Sequence, residues 1–344
     1  MIFFLQLAGL AFFTSLAVSG FMITAGLGDV ADARSAHRQT IPTGGGIGLV
    51  AGLGAAAIAL NFMTLPDIFD SQSLHRGFAP VLSLIFAVSM LGIVDDILNL
   101  SARIKFGILL ILCGAVIYLI GPVVSLPFGL QSVELPFAIG FFGSVLWIFV
   151  VVNAVNFIDG ANGFMGVSLA IASFGLFGVS LILGAPGAAV LSLVNFAILL
   201  GFLPYNLRTE AKVFAGDVGA LCVGFIFALA AIMLVSEAGN SNALYAAPIL
   251  ILPLLTDVFL TLIRRVRRKE NLLRAHNQHL YQRLIRAGMS HVKVTWAYGF
   301  VGLILANLVL LCTHIGLIGS VSLLPFFTGM LIFGYYMISG LLPD

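Results

Sequence analysis

Residues 160–207 read GANGFMGVSLAIASFGLFGVSLILGAPGAAVLSLVNFAILLGFLPYNL, 48 positions without one charged side chain. A helix crossing about 30 Å of hydrocarbon needs roughly 20 apolar residues. The stretch is therefore two crossings, divided where Gly184, Pro186 and Gly187 fall together. Working outward, similar runs fill the chain and place spans at about 2–25, 45–64, 78–94, 106–122, 137–157, 164–184, 187–205, 218–236, 243–263, 294–313 and 321–341. The uncharged end of the chain, 294–343, is again two spans, broken near His314–Ser320. The expectation is an all-α polytopic membrane bundle of about eleven transmembrane helices, with residues 1–344 forming one integral membrane domain.

Composition agrees. The chain is 60% hydrophobic and 9% charged, with mean hydropathy +1.14. A soluble domain carries about a quarter charged residues. A net charge of +2 gives no reason to expect a nucleic-acid partner. Cys113, Cys222 and Cys312 each sit inside an apolar run, where a thiol behaves as a small hydrophobe. Neither disulfides nor a metal site is expected of them. No Lys or Arg precedes Arg34, whereas a cleavable leader needs a basic start. The first apolar run is read as a retained span.

Basic residues orient the bundle. Fifteen of the 16 Lys and Arg fall in loops after odd-numbered spans, and only Arg76 falls on the other side. Positive loops stay cytoplasmic. The N-terminus is thus expected on the periplasmic side, the C-terminus in the cytoplasm, and the protein in a bacterial inner membrane.

Acidic residues collect at the same cytoplasmic side: Asp95 and Asp96 at the end of span 3, Asp159 at the end of span 5, Asp217 at the start of span 8 and Asp257 within span 9. Charges in a membrane helix are costly and are functional candidates by default. Helix capping or boundary snorkelling is the plainer alternative for a single Asp; acids converging on one leaflet argue against it. Carboxylates from separate helices suit Mg²⁺, which takes one or two carboxylates with water and substrate phosphate. A carboxylate nearby can act as general base. Glycines at 44–46, 160, 163, 216 and 219 would admit a ligand close to the backbone. Acids, a divalent ion and basic residues at the membrane surface suit phosphoryl transfer between a soluble anionic donor and a lipid acceptor.

Five stretches carry a resemblance: DVADARSAHRQTIPTGGG (29–46), LGIVDDILNLSARIK (91–105), NAVNFIDGANGF (153–164), PYNLRTEAKVFAGDVGA (204–220) and RAHNQHLYQRL (274–284). In this order they resemble the polyprenyl-phosphate N-acetylhexosamine-1-phosphate transferases, of glycosyltransferase family 4 type. Ala31 and Asp32 depart from the Pro and Asn of that pattern, and Asn162 stands where many members have Asp. The resemblance implies a Mg²⁺ (or Mn²⁺) enzyme that moves a sugar-1-phosphate from a UDP-sugar to undecaprenyl phosphate and releases UMP. The active site would face the cytoplasm, and a homodimer stays open.

By the same resemblance, Asp95 is the candidate base, with Asp96 beside it at the metal, and the two roles are interchangeable from sequence. Asp217 is the implied principal metal ligand. Arg38, Arg103 and Lys105 would attract phosphate. Asn153, Asn156 and Asp159, spaced by three on one helix face, would line the site, and Asn162 and Phe214 would meet uracil. His276 and His279, read as neighbours on a helix, would reach the diphosphate together with Arg283. The His-x-x-His-x-x-Gln-Arg-Leu form is that of members starting O-antigen or related lipopolysaccharide glycans. The phospho-MurNAc-pentapeptide branch carries three consecutive histidines instead, which this chain lacks. An ion-coupled secondary transporter is the rival from another class, but the acids gather at one surface and no duplicated half is visible. His75, His291 and His314 receive no role.

Overall fold

A computed structural model describes the chain except residues 1, 27–41, 64–70, 129–130, 240, 273–275, 319–321 and 343–344. Helices dominate: α1 (Ile2–Ala25), α2 (Gly45–Leu60), α3 (Ser71–Leu98), α4 (Ala102–Ile120), α5 (Phe137–Ile158), α6 (Phe164–Leu183), α7 (Pro186–Asn206), α8 (Gly216–Ala238), α9 (Ala246–Leu250), α10 (Leu252–Arg267), α11 (Leu280–Arg286), α12 (His291–His314) and α13 (Leu323–Gly340). In lipid a helix satisfies its own backbone polar groups, so apolar runs of this length fold this way. The protein is an all-α polytopic membrane protein.

The expected spans each find a helix, with two corrections. Among the described residues nine helices are long and apolar enough to cross. The second span, α2, has only 16 residues, about 24 Å at 1.5 Å per residue. The ninth is not one rod: residues 242–250 and 252–267 meet at 71°. Pro253 lies just past the break. Proline donates no N–H and clashes with the preceding turn, which breaks the ladder there. The α6–α7 turn is as expected, with Gly184 left-handed at φ 70° and Pro186 opening α7. An antiparallel hairpin absent from the reading of the sequence, Ser125–Phe128 with Gln131–Glu134, joins α4 to α5.

Helix α8 is the axis of the bundle. It is almost wholly buried and packs against α2, α3, α5, α6, α7 and α9. Small residues permit that crowding, as in membrane bundles generally. A Cβ on Gly46 of α2 would lie 2.3 Å from the Ala215 carbonyl and 2.4 Å from the Gly219 nitrogen. Gly46 and Gly219 thus serve helix-to-helix approach. Buried amides add polar ties. Asn195 on α7 donates to the Val223 carbonyl at 3.1 Å and to Ser173 Oγ at 3.0 Å, joining α6, α7 and α8. At the end with the hairpin, Glu237 accepts the Gly187 and Ala188 N–H groups at 2.8 and 3.2 Å, capping the unpaired first turn of α7.

Candidate active site

The opposite end of the bundle brings together the C-termini of α3 and α5 and the N-termini of α4 and α8. Asp217 lies in the first turn of α8, where the helix dipole favours a negative charge. Asp96, from the end of α3, accepts the Asp217 N–H at 3.1 Å and the Val218 N–H at 3.4 Å. One carboxylate thereby caps α8 and fixes its register on α3. Gly92, one turn earlier, makes room: a Cβ there would meet Val218 Cα at 2.5 Å.

Lys105, from the first turn of α4, is buried at 6% exposure. Its Nζ lies 2.6 Å from Asp95 Oδ2 and also pairs with Asp217 Oδ2. In the amide orientation that satisfies both neighbours, Asn156 donates to Asp217 Oδ1 at 2.9 Å and accepts from Lys105 Nζ at 3.1 Å. Asp95 Oδ1 accepts the Leu100 N–H at 2.9 Å, closing the turn between α3 and α4. Four helices thus converge on one ionic cluster. Two like charges in a poorly solvated site repel, and the ammonium between them offsets that cost.

Asp159, just beyond α5, is held well above the usual carboxylate range, chiefly by burial, with Asp217 and Asp96 adding repulsion. Asn153, two turns back on α5, is buried and donates to the Phe149 carbonyl at 2.7 Å, while its Oδ1 has no hydrogen-bond partner. Arg103 is exposed beside the cluster. Arg38 lies outside the described residues.

Other residues singled out in the sequence turn out to be engaged elsewhere. Asn162 is fully buried, and its amide nitrogen donates to the Arg208 and Thr209 carbonyls at 2.8 and 3.0 Å. The Asn162 backbone carbonyl accepts from Thr295 Oγ1 at 2.8 Å, while the side-chain Oδ1 has no hydrogen-bond partner among the described residues. The NH₂ group of the amide expected to face a base ties the α5–α6 turn to the 206–216 loop. Phe214 is half-buried, and its backbone pairs with Pro42 and Gly45, both at 2.9 Å, docking the glycine-rich loop on the start of α8. Arg283 is 4% exposed; its guanidinium donates to Ser339 Oγ and, at 3.2 Å, to the Ser339 carbonyl of α13.

His276 and His279 are neighbours, with ring centroids 4.9 Å apart, but not on a helix. Both lie in the loop before α11, with His279 at its N-cap. Burial, the adjacent His279 and Arg265 push the His276 imidazole down to about 4. Asp257 does not join the acidic cluster; it lies 3.4 Å from His279 Nδ1.

Two residues that sequence reasoning passed over shape this end. Asn206 accepts the Gly163 N–H at 2.8 Å and donates to the Val213 carbonyl at 2.9 Å, pinning the loop that leads to Asp217. Its place in the PYNLRTEAK stretch was the available signal. His291 Nδ1 lies 3.4 Å from the Asn162 nitrogen, and nothing in its own sequence context pointed there.

Among the described residues no three His, Cys, Asp or Glu side chains form a ready metal cage. Mg²⁺ does not require one, since it keeps water and takes substrate phosphate oxygens. The donors at hand are hard carboxylate oxygens, and a lysine ammonium already lies between two of them. The chemistry of that donor set fits a hard divalent cation.

The profile of glycosyl transferase family 4 matches residues 78–235, which hold Asp95 and Asp96, the asparagine helix with Asp159, and Asp217. A probable undecaprenyl-phosphate N-acetylglucosaminyl 1-phosphate transferase of Bacillus subtilis (strain 168) is 29% identical over 78% of this chain and 73% of its own length. A decaprenyl-phosphate N-acetylglucosaminephosphotransferase of Mycobacterium leprae (strain TN) is 27% identical over 90% and 80%. An undecaprenyl-phosphate alpha-N-acetylglucosaminyl 1-phosphate transferase of Escherichia coli (strain K12) is 28% identical over 90% and 83%. Its acids, lysine and asparagine meet inside the matched segment, so the part of the chain that builds the site is similar to glycosyl transferase family 4 and to these polyprenyl-phosphate N-acetylglucosamine-1-phosphate transferases.

Proposed function

We propose that this protein transfers an N-acetylhexosamine-1-phosphate from a UDP-sugar to undecaprenyl phosphate, releasing UMP and starting a lipid-linked cell-surface glycan of the O-antigen type. The observation that carries the reading is the cluster of Asp95, Lys105, Asn156 and Asp217, drawn from α3, α4, α5 and α8. Basic loops gather at that end, so it faces the cytoplasm. A soluble nucleotide donor reaches it from water while the lipid phosphate arrives within the leaflet.

Asp217 and Asp96 would hold Mg²⁺, which supplies charge neutralisation at the donor diphosphate. Asp95 takes the proton of the lipid phosphate. A lipid phosphate oxygen then attacks the β-phosphorus, the bond to the bridging oxygen breaks, and UMP departs with that oxygen. Lys105 stands where it can turn from carboxylate to phosphate oxygens, so charge developing on the transferred group meets a partner already in place. Asn156 holds Asp217 and Lys105 in register, and Asp159 borders the same space.

The test is a panel of UDP-sugars incubated with undecaprenyl phosphate and Mg²⁺, with UMP and the lipid product followed together. UMP release that requires the lipid acceptor and a UDP-N-acetylhexosamine is the expected result. Turnover of UDP-MurNAc-pentapeptide alone would overturn the substrate class. Solute flux in proteoliposomes with no UMP release would overturn the enzyme reading.

A further inference from the structure

Asp257 is an acid in the middle of the membrane-embedded sequence, 1% exposed, on α10 just beyond the break in the ninth span. A lone carboxylate there would be expensive. This one is saturated. Its Oδ1 accepts the Leu280 N–H at 2.8 Å and Thr261 Oγ1 at 3.2 Å. Its Oδ2 accepts the Tyr281 N–H at 3.1 Å and the Tyr298 hydroxyl at 2.9 Å. Nδ1 of His279 lies 3.4 Å from Oδ1. Only Thr261 is local; the remaining groups come from the loop, α11 and α12.

What Asp257 holds lies over the far wall of the site. The His279 ring stacks between Phe157, with centroids 6.5 Å apart, and Tyr281 at 5.8 Å. Tyr281 stacks on Phe164 at 4.5 Å and donates to the Phe157 carbonyl at 3.3 Å. Phe157 and Phe164 flank the turn that carries Asp159. Gly160 in that turn packs directly under Tyr281: a Cβ there would lie 2.5 Å from its hydroxyl. From Asp257 an unbroken chain of contacts runs through His279 and Tyr281 to the acidic cluster's edge.

We propose that Asp257 is a positioning residue for donor recognition: it fixes the loop before α11 so that His276 and His279 stand beside the Asp159 turn and meet the diphosphate of the UDP-sugar. The inference rests on the transferase reading of the cluster. Asp257 touches no substrate, so its loss weakens donor binding and leaves the chemical step nearly intact.

Asp257→Asn keeps the shape but turns an NH₂ toward groups that are themselves donors. Hydrogen exchange at Leu280 and Tyr281 should then accelerate about tenfold or more, with α8 amides unchanged, because one charge-assisted bond at each amide is lost or weakened. KM for the UDP-sugar should rise about tenfold with kcat within about threefold. Tyr298→Phe, which removes a single donor, should move both readouts the same way by less, and it carries the test if Asp257→Asn does not fold. A fall in kcat at unchanged KM, or unchanged exchange at Leu280 and Tyr281, overturns the proposal. Were no UDP-sugar turned over even by the unmodified protein, the transferase reading would fail, while the exchange data would still decide whether Asp257 anchors the loop.

Discussion

Lys105 is ion-paired with Asp217 across 112 positions of sequence, and the same ammonium lies 2.6 Å from Asp95. One cation therefore ties the starts of α4 and α8 to the end of α3. Removing one partner of a buried pair strands the other charge and costs about 3–5 kcal/mol. Lys105→Met should accordingly lower the thermal midpoint in detergent and reduce UMP release by about a hundredfold or more. Lys105→Arg should restore little, because a planar fork does not replace a compact ammonium between two carboxylates. Transfer by Lys105→Met within threefold of the parent protein would remove the lysine from the mechanism.

Chelation should stop transfer, and Mg²⁺ or Mn²⁺ should restore it. Asp217→Asn should stay inactive at about a hundredfold excess of Mg²⁺, since the amide oxygen is a weaker donor to a hard ion. Mn²⁺ titrated by paramagnetic resonance checks binding apart from turnover. Equal Mn²⁺ affinity in the parent and Asp217→Asn would place the ion elsewhere.

Asp159 predicts a trade between stability and activity. Its folded-state pKa lies above the unfolded one, chiefly through burial, so the folded protein binds the proton more tightly than the unfolded chain. The charged carboxylate costs stability above the unfolded pKa, and the cost grows as pH rises toward the folded value. Asp159→Asn should therefore melt higher than the parent at pH 8, and the advantage should shrink as pH falls toward 4, while transfer is lost at every pH. A variant less stable at pH 8 would contradict the assignment.

Gly46→Ala tests whether the site depends on how closely α2 lies on α8. The added Cβ would meet backbone at 2.3 and 2.4 Å, which cannot rotate away, so a loss at the upper end of about 1–3 kcal/mol is expected. Activity should fall with it, because α8 carries Asp217. Gly9→Ala on α1, with no heavy atom within 4 Å of its would-be Cβ, should be neutral or slightly stabilising. Equal melting of the two variants would show the α2–α8 contact to be slack.

The membrane helices were legible because hydropathy is a property of uncharged runs alone. The meeting of Asp95, Asp96 and Asp217 was legible too, since each lies at a span end on the basic side. The bend in the ninth span was only half legible: Pro253 is visible, but apolar residues continue through it. Partners were not legible at all. Asn162 reads like a ligand-facing amide, and nothing local shows that the Arg208 and Thr209 carbonyls already take its NH₂ group. Asp257 likewise reads like a fourth acidic site of the cluster, because its partners at 280, 281 and 298 are distant in sequence.

The enclosure of α8 has a consequence for how such an enzyme can diversify. Neighbours press on that helix from nearly every side, so a substitution there disturbs its surroundings and the acid at its tip together. The segment between α10 and α12 is fastened differently, with the start of α11 gathered on one carboxylate. On the proposed reading, the grip on the donor diphosphate can be altered by redrawing that strap while the reacting centre is inherited unchanged.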